Sequence, residues 1–299
     1  AMEAAVMNLF GNEDRVLVVE GGSFGQRFVR LCEIHSVAHE VVHLSLGASL
    51  NEADLKPFEN GGFTAFLVNL DETSTGVLYD IDLISSFCAR NKLFLLVDAI
   101  SAFLADPIDM EHSGIDAMIV GSQKALAVAP GVSALILDPR AIDRVFAHSP
   151  ATMYFDLKDA LANGERGQTP FTPAAGVLLQ LHKRLEEIDG RGLEAELGRV
   201  AYLANDFRTR IADLPFTPFA STPSNAVTSL ATNGTSARLL FEVLKDEFNL
   251  WICPNGGELA DTVFRVGHIG ELSVEDNTVL IDALHDLQRR GLIEGAAHA

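Results

Sequence analysis

Between residues 15 and 160, short apolar runs alternate with stretches of helical periodicity, and that alternation is the feature that leaves fewest folds open. The runs at 15–19, 40–44, 65–69, 94–98, 117–121 and 133–137 are rich in Val, Ile, Leu and Phe. They lack the strict in-out alternation of a sheet with one wet face, which predicts strands covered on both sides and a largely parallel sheet. Helices fit between them at 25–35, 80–91 and 140–146. The expected class is therefore α/β.

The rhythm breaks at 149–173, where Asn163-Gly164, Gly167, Pro170 and Pro173 predict a long irregular excursion. Helical periodicity returns over 174–189, is interrupted by Gly190 and Gly192, and resumes over 193–214. Residues 216–292 read as strand, strand, helix, strand, strand, helix. A chain of 299 residues has room for two cores. The expectation is a large domain over 1–189 and a small α+β domain over 190–299.

The formal charge of −19 repels polyanions at long range, so neither nucleic acid nor an anionic membrane is an expected partner. A small molecule is expected instead, and an anionic one would need a local cation working against the global field. Cys32, Cys88 and Cys253 are widely spaced, without the pattern of a disulfide framework or a zinc site, which suits a reducing cytoplasm. No apolar run approaches a membrane span, and no signal-peptide pattern opens the chain. Residues 1–10 read as a helix already under way without a capping residue, so a preceding segment is expected to be missing from this sequence.

Two short motifs carry chemistry. Val97-Asp98 ends one predicted strand, and Gly121-Ser122-Gln123-Lys124 ends another. Ligands of open α/β sheets sit at the carboxyl ends of the strands, so this acid and this amine can meet one cofactor. Pyridoxal phosphate (PLP) requires that pair: an amine to bond its aldehyde, and a carboxylate opposite its ring nitrogen so that the ring can accept electrons. Standing alone, Lys124 would read as a surface lysine and Asp98 as a turn acid.

The ordered set Asp71-Glu72-Thr73-Ser74-Thr75-Gly76, Val97-Asp98, Gly121-Ser122-Gln123-Lys124-Ala125-Leu126 and Pro130-Gly131 resembles the class V aminotransferases of PLP fold type I. Within them it looks most like the branch holding 2-aminoethylphosphonate:pyruvate and alanine or serine:glyoxylate transaminases. The likeness runs over nearly the whole chain. It implies that Lys124 is the Schiff-base lysine and general acid/base, and that Asp98 is the ring-nitrogen partner. Thr73 would bond the ring edge, and Phe24, in Gly21-Gly22-Ser23-Phe24-Gly25-Gln26, would stack on its face where many relatives have Trp or Tyr. Gln123 would contact the phosphate. The stretch Gln168-Thr169-Pro170-Phe171-Thr172-Pro173 resembles the segment that reaches a neighbouring subunit's cofactor, with Thr169 and Thr172 donating to phosphate in a homodimer. Arg265, in Phe264-Arg265-Val266-Gly267, would clamp the substrate carboxylate in a bidentate fork. His268 is expected to be structural.

The resemblance implies a ping-pong transamination between a small amino donor and a small 2-oxo acid, pyruvate or glyoxylate. The donor is left open among 2-aminoethylphosphonate, alanine and serine, because Pro170 stands where the phosphonate branch has Arg; Arg166 is the nearby substitute. Relatives also hold the cofactor phosphate in a small-residue loop before the first helix, and this sequence begins just after its place. Gln123 where cysteine desulfurases have His, and Cys253 followed by Pro, disfavour a desulfurase. Two further readings stay open. One is a non-catalytic or truncated relative binding PLP weakly; the other, a nucleotide-dependent oxidoreductase, finds only a loose glycine motif at Gly21 and Gly25.

Overall fold

The computed structural model describes residues 1–293; positions 294–299, which the expected small domain included, lie outside the described residues. Strands β1 (Arg15–Glu20), β2 (Ala38–His43), β3 (Ala65–Asn69), β4 (Asp71–Glu72), β5 (Val77–Leu78), β6 (Phe94–Asp98), β7 (Ala117–Gly121) and β8 (Ser133–Leu137) are interleaved with helices α1 (Met2–Leu9), α2 (Ser23–Ile34), α3 (Glu52–Leu55), α4 (Ile81–Asn91) and α5 (Pro139–Ala147). Helices α6 (Leu157–Gly164), α7 (Ala175–Arg191) and α8 (Leu193–Arg210) follow. The chain then runs through β9 (Thr217–Pro218), β10 (Val227–Ala231), α9 (Ala237–Phe248), β11 (Cys253–Pro254), β12 (Val263–Gly267) and α10 (Val274–Arg289).

The main sheet has the order β2-β1-β3-β6-β7-β8. Its pairs are parallel except β7 with β8. The exception has a simple cause: residues 122–132 join β7 to β8 without a crossover helix, and a short connection can only turn the chain back antiparallel. Alternate residues of the central strands enter two separate cores. Leu17, Val19, Phe66, Val68, Leu95 and Val97 pack on one face, and Val16, Val18, Ala65, Leu67, Phe94 and Leu96 pack on the other. Burial on both faces is why these strands read as unbroken apolar runs. The edge strand β2 differs, with mainly its Val42 buried.

From β1 the chain steps outward to β2 and returns on the opposite side as β3. That reversal opens a crevice at the carboxyl ends of β1 and β3, the place where an open α/β sheet takes its ligand. A third core, around Phe207, Leu230, Leu240, Leu244, Phe264 and Leu284, belongs to the C-terminal four-stranded sheet of order β11-β12-β10-β9 and its helices.

The structure corrects three expectations. The excursion at 149–173 is not wholly irregular: Asp156 caps α6 by accepting from the Lys158 amide at 2.9 Å. Gly190 does not interrupt α7, which ends at Gly192, where φ is +88° and a side chain would be strained. Helix α8 stops at Arg210, short of residue 214. The order expected for 216–292 is found, though β9 and β11 are each only two residues long. No described helix is long and apolar enough to cross a membrane.

Candidate active site

The turn after β1 is built from close approaches. A β-carbon on Gly25 would lie 2.5 Å from the Val19 carbonyl oxygen, and one on Gly22 would lie 2.4 Å from Ser74 Oγ. Only glycine lets α2 start so near the sheet and so near the β4–β5 hairpin. Buried Glu72 ties the two together. Its carboxylate accepts the Phe24 amide at 3.3 Å, the Gly25 amide at 3.0 Å and Asn69 Nδ2 at 3.0 Å, and Ser74 Oγ donates to it as well. An acid at the first turn of α2 also meets the positive end of the helix dipole. In the sequence Glu72 stands only as part of the motif 71–76, with no role of its own expected. Two glycines facing an acid-serine pair were the available signal.

Phe24, fixed by this turn, lines a cavity of about 880 Å³ together with Glu20, His43, Ser74, Asn255 and Arg265. The Arg27 guanidinium lies 4.7 Å from the Phe24 ring centroid. Arg265 comes from β12. It donates through Nη1 to the Thr73 carbonyl at 2.8 Å and through Nη2 to the Pro254 carbonyl at 3.0 Å, while its buried Nε has no partner among the described residues.

Asp98 ends β6 and is 5% exposed. Its Oδ1 accepts the Ile100 amide at 2.9 Å, which orients the carboxyl at the turn. Burial pushes its pKa up to about 6, against the pull of that amide and of Arg27 and Lys124. Lys124 follows β7 in a wound loop: Ser122 Oγ donates to the Ala129 carbonyl at 2.8 Å, and Ala127 is held at φ +55° with its amide on the Lys124 carbonyl at 2.8 Å. A left-handed alanine costs about 1–3 kcal/mol, so the surrounding bonds must enforce the turn. Burial lowers the proton affinity of Lys124; Asp71 opposes this most, Arg265 adds to it, and Cys253 and Asp98 oppose it. Among the described residues it has no ion-pair partner.

The structure thus brings Lys124 within electrostatic reach of both Asp98 and Arg265. Lys124 and Asp98 are not part of the cavity wall that holds Phe24 and Arg265; Arg27, over Phe24, and Arg265 link the two sets. Thr73 faces Ser101, hydroxyl to hydroxyl, at 2.6 Å. Gln123 is exposed beside its own strand end. Thr169 and Thr172 are exposed and outside the cavity wall; the Thr169 hydroxyl donates to the Phe171 carbonyl at 2.7 Å. Arg166 points to Asn163. His268 is buried, with Nε2 2.7 Å from Thr228 Oγ1, and burial takes its pKa down to about 3.

These residues fit PLP in their chemistry. An unpaired amine of lowered proton affinity suits an aldehyde, a buried carboxyl suits a ring nitrogen, and an unpartnered Arg265 Nε suits a substrate carboxylate.

Comparison with known proteins gives a concordant picture. The family model Aminotransferase class-V matches residues 2–258. The chain is 29% identical over 291 residues to a protein named soluble hydrogenase, small subunit, of a Synechococcus strain, covering 95% of this chain and 76% of that protein. It is 29% identical over 307 residues to the alanine–glyoxylate aminotransferase of Oryctolagus cuniculus, covering 98% and 76%. The crystal structure of an alanine–glyoxylate aminotransferase from a Nostoc species superposes with a TM-score of 0.91 at 24% identity, over 96% of this chain and 78% of that one.

Proposed function

The chain belongs to the class V aminotransferases, PLP enzymes of fold type I, and from that premise we propose that it moves an amino group from alanine or serine to glyoxylate in two half-reactions. The observation that supports this reading is that Lys124, in the loop after β7, feels both Asp98, at the end of β6, and Arg265, from the C-terminal sheet. Relatives named for alanine–glyoxylate and serine–glyoxylate transfer support the choice of substrates. Arg166, engaged by Asn163, gives no support to a phosphonate donor.

Bound at this site, PLP supplies an aldehyde that takes the amino group and a ring that accepts electrons. Lys124 would hold the cofactor through its amine and would move the proton at the substrate Cα. Asp98 would face the ring nitrogen with its carboxylate, and Thr73 and Phe24 would help hold the ring. Gln123 serves the phosphate. Arg265 binds the substrate carboxylate in register with the amine. Thr169 and Thr172 complete a neighbouring copy's phosphate site, which makes the working unit a homodimer. The division into parts 1–189 and 190–299 suits substrate binding between them. Three free cysteines support a reducing, cytoplasmic setting.

The test is an absorbance scan of the purified chain with PLP, followed by a panel of alanine, serine and 2-aminoethylphosphonate with glyoxylate or pyruvate. Turnover of alanine or serine with glyoxylate is expected. Turnover of aminoethylphosphonate alone would overturn the substrate assignment, and failure to bind PLP would favour the non-catalytic reading.

A further inference from the structure

Behind Lys124, two buried acids share one hydroxyl. Ser224 Oγ lies 2.9 Å from Asp71 Oδ2 and 2.9 Å from Asp106 Oδ2, and it accepts the Ala226 amide at 2.9 Å. Serine has a single hydrogen to donate. It can satisfy one carboxyl, so the other must donate to Ser224 or face it lone pair to lone pair. One of the two acids therefore carries a proton.

The surroundings decide which. Asp106 also accepts the Asn225 amide at 3.2 Å. It lies in the field of Arg208, whose guanidinium donates to the Ser224 carbonyl and to Thr228 Oγ1 at 2.8 Å. Asp71 has no such support. It is 3% exposed, its Oδ1 has no hydrogen-bond partner, and Asp106 and Glu72 add negative charge around it. An unpaired carbonyl-type oxygen of a neutral acid costs far less than an unpaired oxygen of a buried anion. The anion thus belongs to Asp106 and the proton to Asp71, with the chain of donors running from Asp71 to Ser224 to Asp106. Burial pushes the Asp71 pKa up to about 7, and the pull of Lys124 opposes it. Tyr79 is the remaining titratable group facing Asp71.

Asp71 is also the largest opposing charge felt by Lys124. An anion there would hold the lysine as ammonium, which has no lone pair with which to bond an aldehyde or take a proton. A neutral acid withdraws that pull and lets burial lower the proton affinity of the lysine.

We propose that Asp71 is a positioning residue of this site, a neutral acid anchored through Ser224 to the Asp106 carboxylate, whose protonation keeps the proton affinity of Lys124 low. The inference rests on Lys124 being the reacting lysine. It ties the lysine to pH: as pH rises through about 7, Asp71 ionises and raises the proton affinity of Lys124, so the amine gains less from further alkalinity than it would beside a neutral group.

Two measurements on the full chain without added cofactor test it. Infrared difference spectra of wild type against Asp71→Asn should show a protonated-carboxyl band that vanishes with this substitution, survives Asp106→Asn, and titrates with a midpoint above pH 6. Acylation of Lys124 by acetic anhydride, read by mass spectrometry, should be at least about threefold faster in Asp71→Asn than in wild type at pH 8.5, corresponding to half a pKa unit, and equal at pH 6. Asparagine keeps an N–H for Ser224, so the fold has no reason to fail. A band that persists in Asp71→Asn, is lost in Asp106→Asn instead, or titrates below pH 6 overturns the inference, as do equal labelling rates at pH 8.5. Neither measurement needs PLP, so a chain that passes both yet stays colourless with PLP retires the transaminase reading alone.

Discussion

Arg265 Nη1 donates to the Thr73 carbonyl at 2.8 Å across 192 residues of sequence, so a strand of the C-terminal sheet fixes its guanidinium against the hairpin of the main sheet. Both Nη groups are held by backbone carbonyls, and the buried Nε has no hydrogen-bond partner among the described residues. Lysine cannot reproduce this arrangement, because one ammonium cannot bond two fixed carbonyls and a carboxylate in a planar fork. Arg265→Lys should lower kcat/KM for the amino donor by about 10- to 100-fold, the worth of a charged hydrogen bond of about 1.5–3 kcal/mol. Most of the loss should fall on KM. Steady-state kinetics with alanine and with serine checks this; an unchanged KM would remove Arg265 from substrate binding.

Lys124→Ala should abolish both turnover and the visible absorbance of lysine-bound PLP. Because Lys124 has no ion-pair partner among the described residues, its loss should leave the melting temperature nearly unchanged. A variant that keeps its colour and its activity would refute the assignment.

The places of Asp98, at the end of β6, and of Lys124, three residues past β7, were legible because strand ends follow from apolar runs. β3, β6, β7 and β8 fall where those runs predict. The acid–hydroxyl–acid bridge was not legible, since Asp71, Asp106 and Ser224 are far apart in sequence and only docking of residues 222–226 on the hairpin joins them. Helix α6 was hidden for a different reason. It buries none of its residues and so carries no strong apolar stripe, and Asn163-Gly164 at its end reads as loop.

The buried Asp98 carboxyl links cofactor binding to stability. Its folded pKa, about 6, lies above the ordinary 3.8, so the folded state favours the neutral acid. That relative stabilisation is full below 3.8 and is lost as pH rises through about 6. Asp98→Asn removes the penalty of a buried charge. It should stabilise the cofactor-free protein at pH 8 by on the order of 3 kcal/mol, and by roughly half of that at pH 5. The same variant should bind PLP poorly. Thermal melts at the two pH values give the sign, and a variant less stable at pH 8 would contradict the assigned environment.

Gly25→Ala tests the turn that carries Phe24. The new methyl would meet the Val19 carbonyl oxygen at 2.5 Å and Glu20 Cα at 2.8 Å, both backbone atoms that cannot rotate away. Overpacking of this kind costs about 1–3 kcal/mol. The expected outcome is a lower melting temperature together with weaker PLP uptake, because α2 must shift and take Phe24 with it. Calorimetry and a PLP titration report the two effects separately.

The segment that brings Thr169 and Thr172 also exposes Met153 at 76% and Tyr154 at 67%, with the Tyr154 ring stacked on Phe171 at 5.0 Å. Large apolar side chains left open beside each other suit an interface better than solvent. If a second copy covers them, Tyr154→Asp places a charge in a desolvated contact and should weaken the dimer by about 2 kcal/mol or more, roughly 30-fold in dissociation constant. Light scattering on dilution should then give a mass falling from twice 32.2 kDa toward that of one chain at higher protein concentration than for wild type. Activity should fall with it, because each site would lose the two threonines of its neighbour. Full activity in a demonstrably monomeric variant would detach Thr169 and Thr172 from the phosphate site.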